Sequence, residues 1–512
     1  MLPNWFKKKE KFEDQYVSEK PIEKVSVSKK IDKNIKVLQN TYFRDTDDLE
    51  IHHINNQFCI TFLRNITSTK ETDKIIQTLA KQSSKEKNKN SSSNSIPFKY
   101  DTQQELSKVV QGMILGKCAL FIAGEKTVYL LDAFQPDKRA IEEPYIESTV
   151  KGPREGFIEP IETNLALIRQ RLKTNDLKIR EFTKGEMTQT KIAVVYLDGL
   201  ANPEIVDEVI KRINKIKTDS IISSNVLNEY LQDVPYSIVP LLGYTERPDK
   251  LCGNLLEGRV GIVVDGTPFT LYGPVSLFSL LQSPDDYYDT FYIGTLLRLL
   301  RYIAIFSAAL LPAMYIALTT FHQEMIPTPL ALSIAAGRES VPYPAIIETL
   351  LMEITFEFLR EAGLRLPKPI GNTVSIVGAL VIGEAAVNAG FVSPLMIIIV
   401  AITAISSFII PNYSLGITFR ILRFGFIILA GLFGFFGIVW GMVFVYLHFT
   451  KLTSFGYPYL TPHAPFVVND MKDTLFRFPN IRNNKYPTYI MDKKHLKRKR
   501  RKNAANKNER KE

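Results

Sequence analysis

Four glutamates in one apolar stretch are the residues best placed to do chemistry. Residues 345–362 carry Glu348, Glu353, Glu357 and Glu361. At about 100° per residue the last three share a sector of about 80° on a helix, and Glu348 points to the far side. Arg360 and Arg365 stand three and four positions from Glu357 and Glu361, within reach on the same surface. Bare lipid cannot face such a stripe. Two readings follow: a helix lying at headgroup depth, or a face lining an aqueous lumen built from several copies, where rings of carboxylates concentrate cations. Glu384 is a separate case, central in the apolar run 373–390. An ionisable group there is an ion-pathway candidate by default, with a neutral packing residue as the alternative.

Enzyme signatures are near misses. Gly124-Glu125-Lys126-Thr127 has the end of a phosphate-binding loop without the glycine-rich run that would cradle phosphate. Val263-Val264-Asp265-Gly266-Thr267 resembles a phosphoaspartate motif but lacks a second carboxylate for Mg²⁺, so it reads as a turn. The six histidines show no ligand spacing. No catalytic, cofactor-binding or metal-ligating set emerges, and the expectation is a protein that is not an enzyme and uses no cofactor.

These glutamates sit in a part of the chain with its own composition. Of 117 charged side chains in 512 residues, residues 291–450 hold only 15, about 9% of that stretch, against about 29% elsewhere. That excludes both a simple soluble globule and a disordered chain. Runs at 302–318, 373–390, 393–410 and 424–447 are each long enough to span about 30 Å of hydrocarbon. Glycines at 425, 431, 434, 437 and 441 allow close helix approach. Arg298 and Arg301 at the head of the first run place the preceding region inside. The tail 491–512, net +8, belongs inside too, near anionic headgroups rather than on nucleic acid. The number of crossings stays open between four and a larger count in which 417–452 passes twice. Residues 1–10 hold no apolar run to serve as a signal peptide. Three scattered cysteines fit a reducing compartment.

The remainder divides into a polar leader (1–40), a first α/β subdomain (41–150, with a polar insert at 81–95) and a second (151–290). The membrane domain (291–450) and basic tail (451–512) follow. In the first subdomain a strand is predicted at 58–63, a helix at 72–79 and a hairpin over 118–131. In the second, Lys191–Leu197 reads as a strand. Asn202-Pro203-Glu204 supplies an N-cap, a first-turn proline and an acidic first turn for a helix over 205–216. A strand at 259–264 runs into the turn Asp265-Gly266.

Several motifs together resemble the A subunits of spore germinant receptors, the GerA-type family. They are Lys151-Gly152-Pro153-Arg154-Glu155-Gly156-Phe157, Thr245-Glu246-Arg247-Pro248-Asp249, Glu257-Gly258-Arg259 and Val264-Asp265-Gly266-Thr267-Pro268. Asp285-Asp286-Tyr287-Tyr288, His322 through Pro327, Leu359 through Gly363 with Arg365-Leu366-Pro367, Val377 through Gly383, and Ser454 through Leu460 complete the series. The likeness runs from about residue 40 to 466.

The resemblance implies a multi-pass protein of the inner spore membrane, with two α/β subdomains in the cytoplasm. It further implies a transporter-like B subunit that takes the nutrient, a lipoprotein C subunit, and a homo-oligomer of A subunits forming a nutrient-gated cation channel. Two other classes remain: a secondary transporter coupling through Glu384 or the acidic stripe, and a non-conducting hub that recruits partners.

Overall fold

The computed structural model describes residues 25–54, 57–85, 98–134, 143–147, 149, 151–365, 383–467 and 470–479. The chain before residue 25, most of the polar insert, the first part of the 373–390 run and the basic tail from 480 lie outside the described residues. The chain divides into two compact units, one of residues 1–137 with 173–175, the other of 138–172 with 176–512.

In the first unit five strands pair antiparallel in the order β1-β2-β4-β5-β3: β1 (Leu49–Ile54), β2 (Phe58–Leu63), β3 (Tyr100–Gln103), β4 (Lys117–Ile122) and β5 (Val128–Asp132). All six β2 residues are buried, as a strand covered on both faces requires. Phe58, Ile60 and Phe62 pack against Ile75 and Leu79 of helix Thr69–Lys85. Cys59 and Leu63 face the opposite way, toward Leu38 and Val109. Residues 25–40 are not a loose leader throughout. Ile31–Val37 is helical, and Val27, Ile35 and Leu38 are buried in this core. Ile31, Ile35 and Leu38 follow the i, i+4, i+7 spacing that puts one helical stripe inside. The helix from Thr69 also continues into the predicted insert, to Lys85.

The second unit opens with a second antiparallel sheet, order β6-β7-β9-β10-β8: β6 (Leu177–Lys184), β7 (Thr190–Leu197), β8 (Gly243–Thr245), β9 (Val260–Val264) and β10 (Thr270–Gly273). Helices Ile161–Arg171, Pro203–Lys215, Ser224–Leu231 and Pro248–Leu256 accompany it. The predicted N-cap is present: the Glu204 N–H donates to the Asn202 side chain at 3.1 Å, with Pro203 at the first helical position.

The same unit continues into a helical region: Phe291–Ile316, Thr328–Arg338, Ala345–Arg365, Pro394–Ile409 and Tyr413–Lys451. Two stretches among the described residues are long and apolar enough to cross a membrane, Phe291–Phe321 and Tyr413–Lys451. The second is not one span. Gly434 has φ 57° and ψ −140° inside it, a backbone region open to glycine and strained for other residues. Beyond it the chain reverses. A Cβ on Gly441 would lie 2.8 Å from the Phe426 ring, and one on Gly437 would lie 2.2 Å from the Leu429 carbonyl oxygen. In a continuous helix residues 441 and 426 would stand about 22 Å apart. The run 424–447 therefore divides between two antiparallel arms, 413–433 and 435–451, the double pass that the sequence left open, and their facing glycines let the backbones meet.

Gly441→Leu should accordingly separate the arms and cost several kcal/mol, as overpacking at a tight contact does. Melting of the purified chain in detergent reads it, and an unchanged midpoint contradicts the hairpin.

The arms and their neighbours run between two levels. Near the second sheet, the Thr418 hydroxyl donates to the Ile238 carbonyl at 2.8 Å and the Ser454 hydroxyl to the Leu241 carbonyl at 2.6 Å. At the distal level the bend at Gly434 packs on Phe321 and His322. Helix Ala345–Arg365 ends near the proximal level, where Arg360 meets Ser407 and Phe408. The chain is next described at 383–390, where Gly390 packs on Ser340 at the distal level.

Candidate functional site: a charged joint and a buried ion-pair layer

The first apolar helix buries one stripe: Gly294, Arg298, Arg301, Ile305, Ala308 and Pro312. Two arginines on an inward face need compensating charge. Asp286, itself fully buried, supplies it: its Oδ2 stands 3.0 Å from Arg298 Nε and 2.7 Å from Arg301 Nη1. Asp473, from beyond the hairpin, adds a second carboxylate at 2.8 Å from Arg298 Nη1 and accepts the Tyr287 hydroxyl at 2.8 Å. The guanidiniums of Arg298 and Arg477 lie over the Tyr287 ring, 5.4 and 5.5 Å from its centroid. Arg298 and Arg301 are thus held in ion pairs inside the chain.

Next to this joint three of the quoted motifs meet. Arg247 is bridged to Asp249 at 2.6 Å, and the Tyr288 hydroxyl donates to the same carboxylate. Gly152 closes the group: a Cβ there would lie 3.0 Å from both Arg247 Nη2 and Tyr288. Burial opposes the Asp249 charge, yet Arg247 and Tyr288 together hold its carboxyl below the ordinary aspartate range. Burial, and then the Asp249 carboxylate, push the Tyr288 phenol up to about 12. Phe157 N–H donates to the Glu246 carbonyl at 2.6 Å. Glu155 pairs with Arg171 at 2.5 Å and Arg154 with Glu143 at 3.3 Å, both at the surface, while Gly156 is buried. Asp265 and Gly266 form the expected turn. The Asp265 carboxylate accepts the Ile161 N–H at 3.1 Å at the start of a helix, and Gly266 takes φ 79°.

The segment after the hairpin straps onto the second sheet. Asp233 accepts from the Thr453 hydroxyl and the Gly456 N–H and pairs with Arg212 at 2.5 Å, while the Arg212 guanidinium lies 5.3 Å from the Phe455 ring centroid. Tyr459 is fully buried.

The acidic stripe is placed differently from the expected shared open face. Glu353 is fully buried and lies 3.1 Å from Arg423, which is 1% exposed. Glu357 lies 3.1 Å from Arg423 and 2.8 Å from Arg420. Both partners come from the arm 413–433, more than 60 residues away, and not from Arg360. Arg360 instead stacks on Phe408, 4.8 Å from the ring centroid. Glu361 is exposed and pairs with Arg365 at 2.7 Å, as expected. Glu348 is fully buried on the opposite face, accepting from Ser393 N and Oγ at 2.6 Å each, with Arg338 at 3.7 Å. Glu384 lies exposed in a helical turn at 383–388, apart from the others. Among the described residues no group of three or more His, Cys, Asp or Glu could hold a metal ion.

The arrangement therefore joins an α/β body rigidly to an apolar helix, and clamps two helices through two arginines and two carboxylates. Nothing in it resembles a nucleophile, a base and an oxyanion site brought together.

Comparison with known proteins places the chain in a family. The Bacillus/Clostridium GerA spore germination protein family matches residues 31–489. A Bacillus subtilis (strain 168) chain named "Uncharacterized membrane protein YfkQ" is 48% identical over 377 residues, 74% of each chain. Spore germination protein KA of the same organism is 44% identical over 388 residues, 76% of this chain and 71% of its own. The crystal structure of the N-terminal domain of the A subunit of the Bacillus megaterium spore germinant receptor GerK3 matches 49% of this chain and 96% of its own. Its identity is 26% and its TM-score 0.37. With a match running through both sheets, the joint and the helical region, this chain belongs to the GerA spore germination protein family.

Proposed function

We propose that the chain is the A subunit of a nutrient germinant receptor in the inner membrane of a bacterial spore. In this reading it is not an enzyme. It works with a transporter-like B subunit and a lipoprotein C subunit, and its copies assemble around a nutrient-gated cation pathway. The observation carrying the reading is the ion-pair layer Glu353–Arg423–Glu357–Arg420, set among otherwise apolar helices. Ionisable groups at such depth are costly and mark ion pathways or switches. In the single chain these charges balance. Opening would then require the layer to rearrange, so that carboxylates reach a lumen between copies.

In this reading the second sheet and the basic tail lie on one side of the membrane and the bend at Gly434 on the other. A cysteine at Glu324, beside the distal bend, should react with an impermeant reagent in intact cells. One at Asn503, in the basic tail, should react only after permeabilisation. The reverse pattern contradicts this orientation.

Function is tested in spores. Deleting the chain from its endospore-forming host should abolish germination on at least one class of nutrient and leave spore formation intact. An unchanged response across a full nutrient panel overturns the receptor reading. The neutralisation of Glu353 and Glu357 within the chain also favours a second reading, a non-conducting hub, which a conductance measurement separates.

A further inference from the structure

A cavity of about 340 Å³ lies where the helical region meets the second sheet. Its walls include Arg247, Lys250, Asp285, Arg301, Arg360 and Phe408, with the end of helix Pro394–Ile409 and the start of the hairpin. Three of its cations are already matched: Arg247 by Asp249 at 2.6 Å, Lys250 by Glu147 at 2.6 Å, and Arg301 by Asp286 at 2.7 Å. Two charges on its wall are not. Arg360 has no ion pair within 4.0 Å among the described residues: it meets the Phe408 ring and Ser407 Oγ at 3.5 Å, and the Glu357 carboxylate, already paired with Arg420 and Arg423, acts on it only at longer range. Asp285 has none either. Its Oδ1 is buried without a hydrogen-bond partner, and its Oδ2 takes only the Ser283 hydroxyl at 3.3 Å.

One unmatched cation and one unmatched anion on a single cavity select a particular chemistry. A simple anion would satisfy Arg360 and be repelled by Asp285, and a simple cation the reverse. A phosphodiester carrying an ammonium satisfies both. The cavity also stands at the proximal ends of the apolar helices, and Phe408, 62% exposed, offers apolar surface at its wall. If those helices span the bilayer, this is headgroup depth on the side of the second sheet. We propose that the cavity takes the headgroup of a zwitterionic aminophospholipid, with its phosphodiester on Arg360 and its ammonium on Asp285. The proposal rests on the membrane-spanning reading, which the labelling of Glu324 and Asn503 tests separately.

The experiment is native mass spectrometry of the full chain, delipidated in detergent and supplied with phosphatidylethanolamine, phosphatidylglycerol or soluble glycerophosphoethanolamine. Wild type should retain phosphatidylethanolamine at least tenfold over phosphatidylglycerol, and bind the soluble headgroup far more weakly. Asp285→Asn should erase the preference, bringing the two lipids within about twofold. Arg360→Gln should lower both about tenfold, with Arg360→Lys recovering part, and Lys211→Ala, at the surface, should change neither. Equal retention of the two lipids by wild type overturns the proposal without any variant. A preference untouched by Asp285→Asn also overturns it. Tight binding of the soluble headgroup alone assigns the cavity to a free metabolite and overturns the lipid assignment. If the labelling fails while the lipid preference holds, the orientation is wrong and the site stands.

Discussion

Asp286→Ala should prevent the chain from accumulating as a folded protein. The substitution leaves Arg298 without its Nε partner and Arg301 with only the Leu281 carbonyl at 3.3 Å, both inside a buried interface. Removing one partner of a buried pair costs about 3–5 kcal/mol, because a desolvated charge remains. Against a total stability of about 5–15 kcal/mol, that is a large share. Two comparisons separate this from a general sensitivity to mutation. Adding Arg301→Met to Asp286→Ala should recover part of the loss by removing the stranded cation. Glu361→Gln, at a pair exposed on both sides, should cost no more than about 1 kcal/mol. Equal melting temperatures for Asp286→Ala and wild type in detergent would show that the joint contributes nothing.

Arg423→Gln is the second severe change, and its effect should exceed that of either glutamate it touches. It strips Glu353 of its ion pair at full burial and leaves Glu357 only Arg420. Glu353→Gln is milder, since Arg423 keeps Glu357 at 3.1 Å. The expected order of destabilisation is Arg423→Gln, then Glu353→Gln, then Glu361→Gln. The double substitution at 353 and 423 should be less harmful than the sum of its parts, with coupling of about 0.5–3 kcal/mol. Additivity would mean that the two side chains do not act as a pair.

Local chemistry explains which parts of this were legible in the sequence. Asn202-Pro203, the strand Lys191–Leu197 and the turn Asp265-Gly266 are set by neighbours within a few residues, and they stand where expected. The antiparallel order of the sheets is not local: β9 lies beside β7 across three intervening helices and β8. The stripe shared by Arg298, Arg301, Ile305 and Pro312 was readable as a helical face, and it signals that the two arginines point inward. Asp473, the second partner of Arg298, lies 175 residues from it, and no spacing rule reaches it. The same holds for Glu357, whose nearby cation Arg360 lost to Arg420 and Arg423 from another helix. The fold-back of Tyr413–Lys451 had a visible sign in its length, 39 residues where about 20 suffice to cross. Choosing Gly434 among the glycines of that stretch required the backbone.

The most direct test of the proposed function is cation flux through the assembled receptor in vesicles. The A, B and C subunits are purified together, reconstituted, and exposed to a nutrient mixture that germinates the host spores. A nutrient-gated channel gives rapid, non-saturating cation flux on nutrient addition, altered in rate or selectivity by Glu353→Gln with assembly unchanged. Saturable exchange coupled to a second ion would make the assembly a transporter. No flux from an intact, nutrient-binding assembly would contradict the channel and leave this chain a coupling hub between its α/β body and its partners.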